Sequence, residues 1–215
     1  MSTRLTIGTL PRRLEARLDE PPGAVRAAVV LCHPHPAYGG DMDNGVVVAV
    51  AEALRADDVA VLRFNFGGVG RSEGVASGGD VEVGDVRVAI AALAARLPDV
   101  PRALVGYSFG AWAALRAVLA APDVRGVVAI GPPLAFLDWT FLGDVPPPVD
   151  VVVGTRDQFC PADRLARVVA ASGGRIVVHA VPEADHFFAG DEVRVAALVV
   201  DALRPLAAAL TPSGA

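Results

Sequence analysis

Gly106-Tyr107-Ser108-Phe109-Gly110 follows the short apolar run Ala103-Leu104-Val105 and opens an alanine-rich stretch, Ala111 to Ala121, that stops at Pro122. The order reads as strand, sharp turn and helix, the setting in which a G-x-S-x-G serine is a nucleophile rather than a chance match. The serine of such an elbow occupies a strained turn, and a side chain at Gly106 or Gly110 would collide with the neighbouring strand or helix. Ser108 is therefore the expected nucleophile, with a plain strand-to-helix turn as the bland alternative.

On either side of this stretch, strand-like and helix-like segments alternate. Leu5–Leu10 and Leu14–Leu18 read as an antiparallel pair, Ala27–Leu31 as a strand covered on both faces, and Asn44–Ala56 as a helix with Asn44 its N-cap. Val59–Phe64 is the next strand, followed by a glycine-rich loop to about Gly79 and a helix over Asp80–Leu97. Gly126–Ile130 and Val149–Val153 read as strands, Pro161–Ala171 as a helix, Arg175–Val181 as a strand and Asp191–Ala209 as the closing helix. This alternation predicts an α/β fold, a mostly parallel central sheet with helices on both faces. Active-site residues are then expected just beyond the carboxyl ends of strands. With no repeat and no long linker, residues 1–215 read as a single domain, with the tail from Thr211 frayed.

Of the 215 residues, 53% are hydrophobic, which supports a large core and argues against disorder. A formal net charge of −5 gives no basic footprint for nucleic acid. The two cysteines, Cys32 and Cys160, make no disulfide framework and read as free thiols of a cytoplasmic protein. The first residues lack the apolar run of a signal peptide. Arg194, Asp201 and Arg204 interrupt the apolar C-terminal segment, so no membrane span is expected.

A serine needs a base, and the base needs an orienting acid. Asp157 lies just beyond Val151-Val152-Val153, and His186 lies beyond Ile176-Val177-Val178. Ser108, Asp157 and His186 thus run in the order nucleophile, acid, base, each in a loop after a strand. Asp150 and Asp163 are alternative acids, and Asp157 alone could serve as a helix cap. His179, inside a strand, reads as structural.

The stretch Leu31 to Gly40 follows the strand that should supply the second oxyanion donor. Phe109 N–H, one residue after the nucleophile, is the first donor. Pro34 and Pro36 have no N–H, so His35 is the second, with Ala37 and Tyr38 behind it. The imidazoles of His33 and His35 read as structural rather than chemical. His33 and His35 with Asp41 and Asp43 could be weighed as zinc ligands, but prolines stiffen the loop and no Asp-His pair follows at binuclear spacing. No metal is expected. Arg63 to Gly74 carries no lysine after its glycines and misses the G-x-G-x-x-G spacing, so neither a P-loop nor a dinucleotide site is expected. It reads as a tight loop beneath the site.

Taken together, His33–Pro36, Arg63–Gly74, Gly106–Ala111 and Ala184–Phe188 resemble the α/β-hydrolase superfamily over nearly the whole chain. Within it they resemble a bacterial branch of small hydrolases carrying HPHP…GG, RFNFRGVG, G.SFGA and a GADHFF-like segment. Gly67 stands where that pattern has arginine, so no role of that arginine transfers. The resemblance implies acyl or ester hydrolysis without fixing a substrate.

Many relatives insert a cap between the strands that flank Gly131–Pro148. Here that connection is too short for an independent cap, which leaves an open cleft suited to short acyl chains. Tyr38, Tyr107, Trp139, Phe141 and Phe187 are the expected pocket walls, although aromatics of the connection read equally as satellite core. The expected activity is that of a cofactor-independent serine hydrolase acting on a small-molecule carboxylic ester. A thioesterase, a dienelactone or other lactone hydrolase and a small peptidase share its triad; a metallohydrolase and a non-catalytic ligand-binding relative are the remoter alternatives. The oligomeric state is left open, a homodimer among the forms allowed.

Overall fold

The computed structural model describes residues 1–10, 12–146 and 148–208. Its strands are β1 (Ser2–Ile7), β2 (Leu14–Asp19), β3 (Ala27–Cys32), β4 (Val59–Phe64), β5 (Arg102–Tyr107), β6 (Val124–Ile130), β7 (Val149–Gly154) and β8 (Ile176–Val181). They form one sheet in the order β1-β2-β4-β3-β5-β6-β7-β8. β1 and β2 pair antiparallel, as do β2 and β4; every other pairing is parallel. The helices are α1 (Gly45–Ala56), α2 (Asp80–Arg96), α3 (Phe109–Val118), α4 (Ala162–Ala171) and α5 (Glu192–Ala208).

Each expected element is present, with shifted ends. β1 leaves the sheet after Ile7, at a turn closed by Arg12 N–H to Thr9 C=O, instead of running to Leu10. α3 starts at Phe109 rather than Ala111, because the helix begins directly on the turn at Ser108. The tail from Thr211 lies outside the described residues.

Side chains of a strand alternate between faces, and β3 shows what that does here. Ala28, Val30 and Cys32 join the core under α2 and α3, while Ala27, Val29 and Leu31 join the core under α1 and α5. All six residues of β3 and all six of β4 are buried, so β3 reads as an unbroken apolar run and β4 as one broken only by Arg63, whose guanidinium is paired with Asp19. Leu165, Val168 and Val169 lay α4 against the first of these cores.

The sheet order reverses between β3 and β5, since the chain crosses from β4 on one side of β3 to β5 on the other. Crevices at such a switch point, beyond the carboxyl ends of the strands, are where open α/β sheets bind ligands. Cys32 of β3 is in register with Gly106 of β5, so the loops that follow both strands leave the sheet at one level. Gly154 of β7 and Val181 of β8 are likewise paired. Among the described residues, the β6–β7 connection holds one short 3-10 turn, Thr140–Asp144, and no cap domain.

Candidate active site

Ser108 takes φ +54° at the end of β5, and its N–H is tied to Ile130 C=O at 2.8 Å. The flanking glycines are required by close approach. A Cβ on Gly106 would lie 2.3 Å from Gly110 O, and one on Gly110 would lie 2.4 Å from Cys32 O. The elbow thus packs its first glycine against its own helix and its second against the end of β3.

The Ser108 hydroxyl donates to His186 Nε2 at 2.9 Å. His186 Nδ1 faces both Asp157 oxygens, at 3.0 and 2.9 Å. A carboxylate only accepts, so Nδ1 carries the proton and Nε2 is left free to accept. Asp157 Oδ1 also accepts the N–H groups of Phe159 and Cys160, at 2.8 and 3.0 Å, so its orientation is fixed from two sides. The other candidate acids are engaged elsewhere: Asp150 with His179 across β7 and β8, Asp163 with Arg167 along α4.

In the loop expected to hold the second oxyanion donor, the backbone is fixed around His35. Ala37 N–H donates to His35 Nδ1, and Tyr38 N–H to His35 C=O. Among the described residues, neither His35 N–H nor Phe109 N–H has a protein acceptor. The rings of these two residues pack with centroids 4.7 Å apart, which holds their backbones side by side. Burial lowers the His35 pKa, in keeping with a neutral ring whose Nδ1 accepts from Ala37.

His33 is fully buried and both of its nitrogens are engaged. Nδ1 donates to Pro34 C=O at 2.6 Å, and Nε2 accepts from Phe66 N–H at 3.1 Å. Burial pushes its pKa down to about 4. The stretch that starts at Arg63 is scaffold for this loop. Arg63 bridges Asp19, Met42 C=O and Asp43, and Asn65 accepts Met42 N–H. Gly67 N–H donates to Asp85, and the guanidinium that reaches Asp85 is that of Arg12. Glu82 accepts from Ser77, Gly78 and Gly79 and so ties down the loop that lies against His35.

A cleft of about 460 Å³ opens over Ser108. Tyr38, Tyr107 and Phe187 line it as expected. Trp139 and Phe141 do not, and the expectation is corrected. The 3-10 turn rotates Phe141 into the core, 7% exposed, with Trp139 stacked on it and the Arg116 guanidinium over its face. Trp139 Nε1 instead donates to Phe136 C=O. The same connection supplies Pro133, Phe136 and Leu137 to the cleft, and Phe159 joins them. Phe159 escapes sequence reading, since an aromatic two residues past the acid has no periodic signal. No Asp, Glu, Lys or Arg lines the cleft among the described residues.

A larger hollow, about 960 Å³, lies at the opposite ends of the strands, beside Asp150 and His179. Its lining has no serine, cysteine or lysine among the described residues, whereas the smaller cleft contains Ser108 and His186. Among the described residues no group of His, Cys, Asp and Glu could hold a metal ion, and no helix is long and apolar enough to cross a membrane.

Residues 23–179 match the family model described as serine aminopeptidase, S33. An uncharacterized protein of Rickettsia prowazekii is 34% identical over 185 residues, 82% of this chain and 78% of that protein. The crystal structure of an α/β serine hydrolase without lid from Xanthomonas campestris superposes with a TM-score of 0.87 at 30% identity, covering 95% of this chain and 94% of that one. A more partial likeness, 32% over 88 residues, is to the mitochondrial palmitoyl-protein thioesterase ABHD10 of Rattus norvegicus, covering 41% of this chain and 29% of that protein.

Proposed function

Because the chain belongs to the serine aminopeptidase S33 family and has the α/β-hydrolase fold, we propose that it hydrolyses small carboxylic esters through Ser108, His186 and Asp157. The observation that carries this reading is the unbroken relay from the Ser108 hydroxyl to His186, at 2.9 Å, and on to Asp157, at 2.9 Å.

Ser108 Oγ attacks the ester carbonyl as its proton passes to His186 Nε2. The resulting oxyanion takes the N–H groups of His35 and Phe109, and His186 then gives its proton to the departing alcohol oxygen as the C–O bond breaks. A water, deprotonated by His186, attacks the acyl-enzyme, releasing the carboxylic acid and restoring Ser108. Asp157 keeps the imidazole in the tautomer that can accept, and stabilises the imidazolium.

An enzyme that releases N-terminal residues must hold an ammonium group, and the described lining of this cleft has no carboxylate to do so. That favours a neutral ester over an aminoacyl substrate, whatever the family's name. The absence of a cap favours short acyl chains. A thioester is the second reading, supported by the likeness to the palmitoyl-protein thioesterase.

Intact-mass spectrometry after fluorophosphonate treatment tests the nucleophile. The expected result is one adduct in the wild type and none in Ser108→Ala, together with turnover of p-nitrophenyl acetate and butyrate. An unlabelled, folded wild type overturns the proposal. Labelling with turnover of acyl thioesters alone moves the assignment to thioesterase.

A further inference from the structure

Three phenylalanines from three loops stand together beside the base. Phe136 comes from the β6–β7 connection, Phe159 from the turn after Asp157, and Phe187 directly follows His186. Phe159 meets Phe136 edge to face at 5.4 Å and Phe187 at 6.1 Å. Phe159 and Phe187 each set an edge-to-face contact on the His186 ring, at 4.5 and 5.7 Å.

Their backbones are fixed one by one. Phe159 N–H is held by Asp157, Phe187 N–H by Asp185, and Phe136 N–H by Pro133 C=O. Ala135 N–H donates to Phe159 C=O at 2.9 Å and joins two of the loops. Yet Phe136 is 55% exposed and Phe187 58%. The protein orders these rings without covering them, which is how a subsite for an apolar ligand group looks.

The chemistry says which group. In the tetrahedral adduct on Ser108 the oxygen anion points to His35 and Phe109, and the leaving oxygen must face His186 Nε2, which protonates it. The acyl half takes the remaining direction. Rings packed around His186 therefore border the alcohol and not the acid. Resting on the ester-hydrolase reading, we infer that Phe136, Phe159 and Phe187 form a leaving-group subsite selecting esters of apolar, ring-bearing alcohols.

Benzyl acetate and ethyl acetate test it, because they share an acyl half and their alcohols have similar acidity. Burying one phenyl ring at about 25 cal/mol per Å² gives the wild type a kcat/KM ratio of about 50 in favour of benzyl acetate. Phe187→Ala and Phe136→Ala, both at exposed positions, each lower that ratio about fivefold. Tyr38→Ala, at a ring that packs against His35 and not against these phenylalanines, leaves it within about twofold. A wild-type ratio near one, or a ratio unmoved in both phenylalanine variants, overturns the subsite while leaving the ester reading intact. Turnover of neither ester overturns the ester reading, and this inference with it.

Discussion

The hydroxyl of Tyr107 donates to the main-chain carbonyl of His186 at 3.0 Å. The residue before Ser108 thus clamps the loop that carries His186, from a buried position whose ring also packs against Phe188. Removing the hydroxyl leaves that buried carbonyl without its partner. Tyr107→Phe is expected to lower stability by about 1–2 kcal/mol in urea unfolding and kcat about tenfold with little change in KM. An unchanged kcat would show that His186 is held by its other contacts alone.

Asp157 fixes the His186 tautomer through both carboxylate oxygens. Asp157→Asn presents an amide that can donate to Nδ1, selecting the tautomer in which Nε2 carries the proton and cannot accept from Ser108. By analogy with the known cost of a mis-set tautomer, kcat for p-nitrophenyl acetate falls by about 10³–10⁴. Circular dichroism should show the fold retained. A loss smaller than about tenfold would place the orienting acid elsewhere.

Stability should fall on mild acidification because His33 is buried neutral, with a pKa of about 4. The unfolded chain takes up a proton near pH 6.5, whereas the folded one does not until about pH 4. The contribution is therefore fully present above the unfolded value and is lost as pH falls through this window. Between pH 7 and pH 5 the loss is about 2 kcal/mol, measurable by urea unfolding at the two values. His33→Gln is less stable at pH 7, for want of its two buried hydrogen bonds, but should lose under about 1 kcal/mol over the same interval.

Arg63 is a buried cation with three acceptors, of which the Asp19 carboxylate is itself buried. Arg63→Ala strands that carboxylate and the Met42 carbonyl, and should cost about 3–5 kcal/mol. The double change Arg63→Met with Asp19→Asn recovers part of the loss. Equal instability of the single and double variants would show that packing, and not charge, holds this position.

The elbow was legible because three independent signals coincide at it: an apolar run, two glycines and a helix-forming stretch. Asp157 and His186 were legible because each follows a run of valines and isoleucines that can hardly be other than strand. The pocket was less so. Trp139 and Phe141 sit between proline clusters like wall residues, but which side of a short 3-10 turn faces inward depends on the core beneath it, and Trp112 and Arg116 were waiting there. Phe159 reaches His186 because Asp157 draws the N–H groups of Phe159 and Cys160, two and three residues on, around its own carboxylate. Side-chain capture of backbone of this kind leaves no trace in hydrophobic period.

Ser108 meets His186 across 78 residues of chain, and His186 follows β8, the last strand on that side of the sheet. A polypeptide emerging from the ribosome, translated as far as α4, already contains Ser108, the His35 loop and Asp157 but not His186. On the proposed triad, Ser108 gains its base only once β8 pairs with β7 and sets His186 beside it. The order of synthesis therefore delivers the proposed base last, after Ser108, the His35 loop and Asp157 are already in the chain.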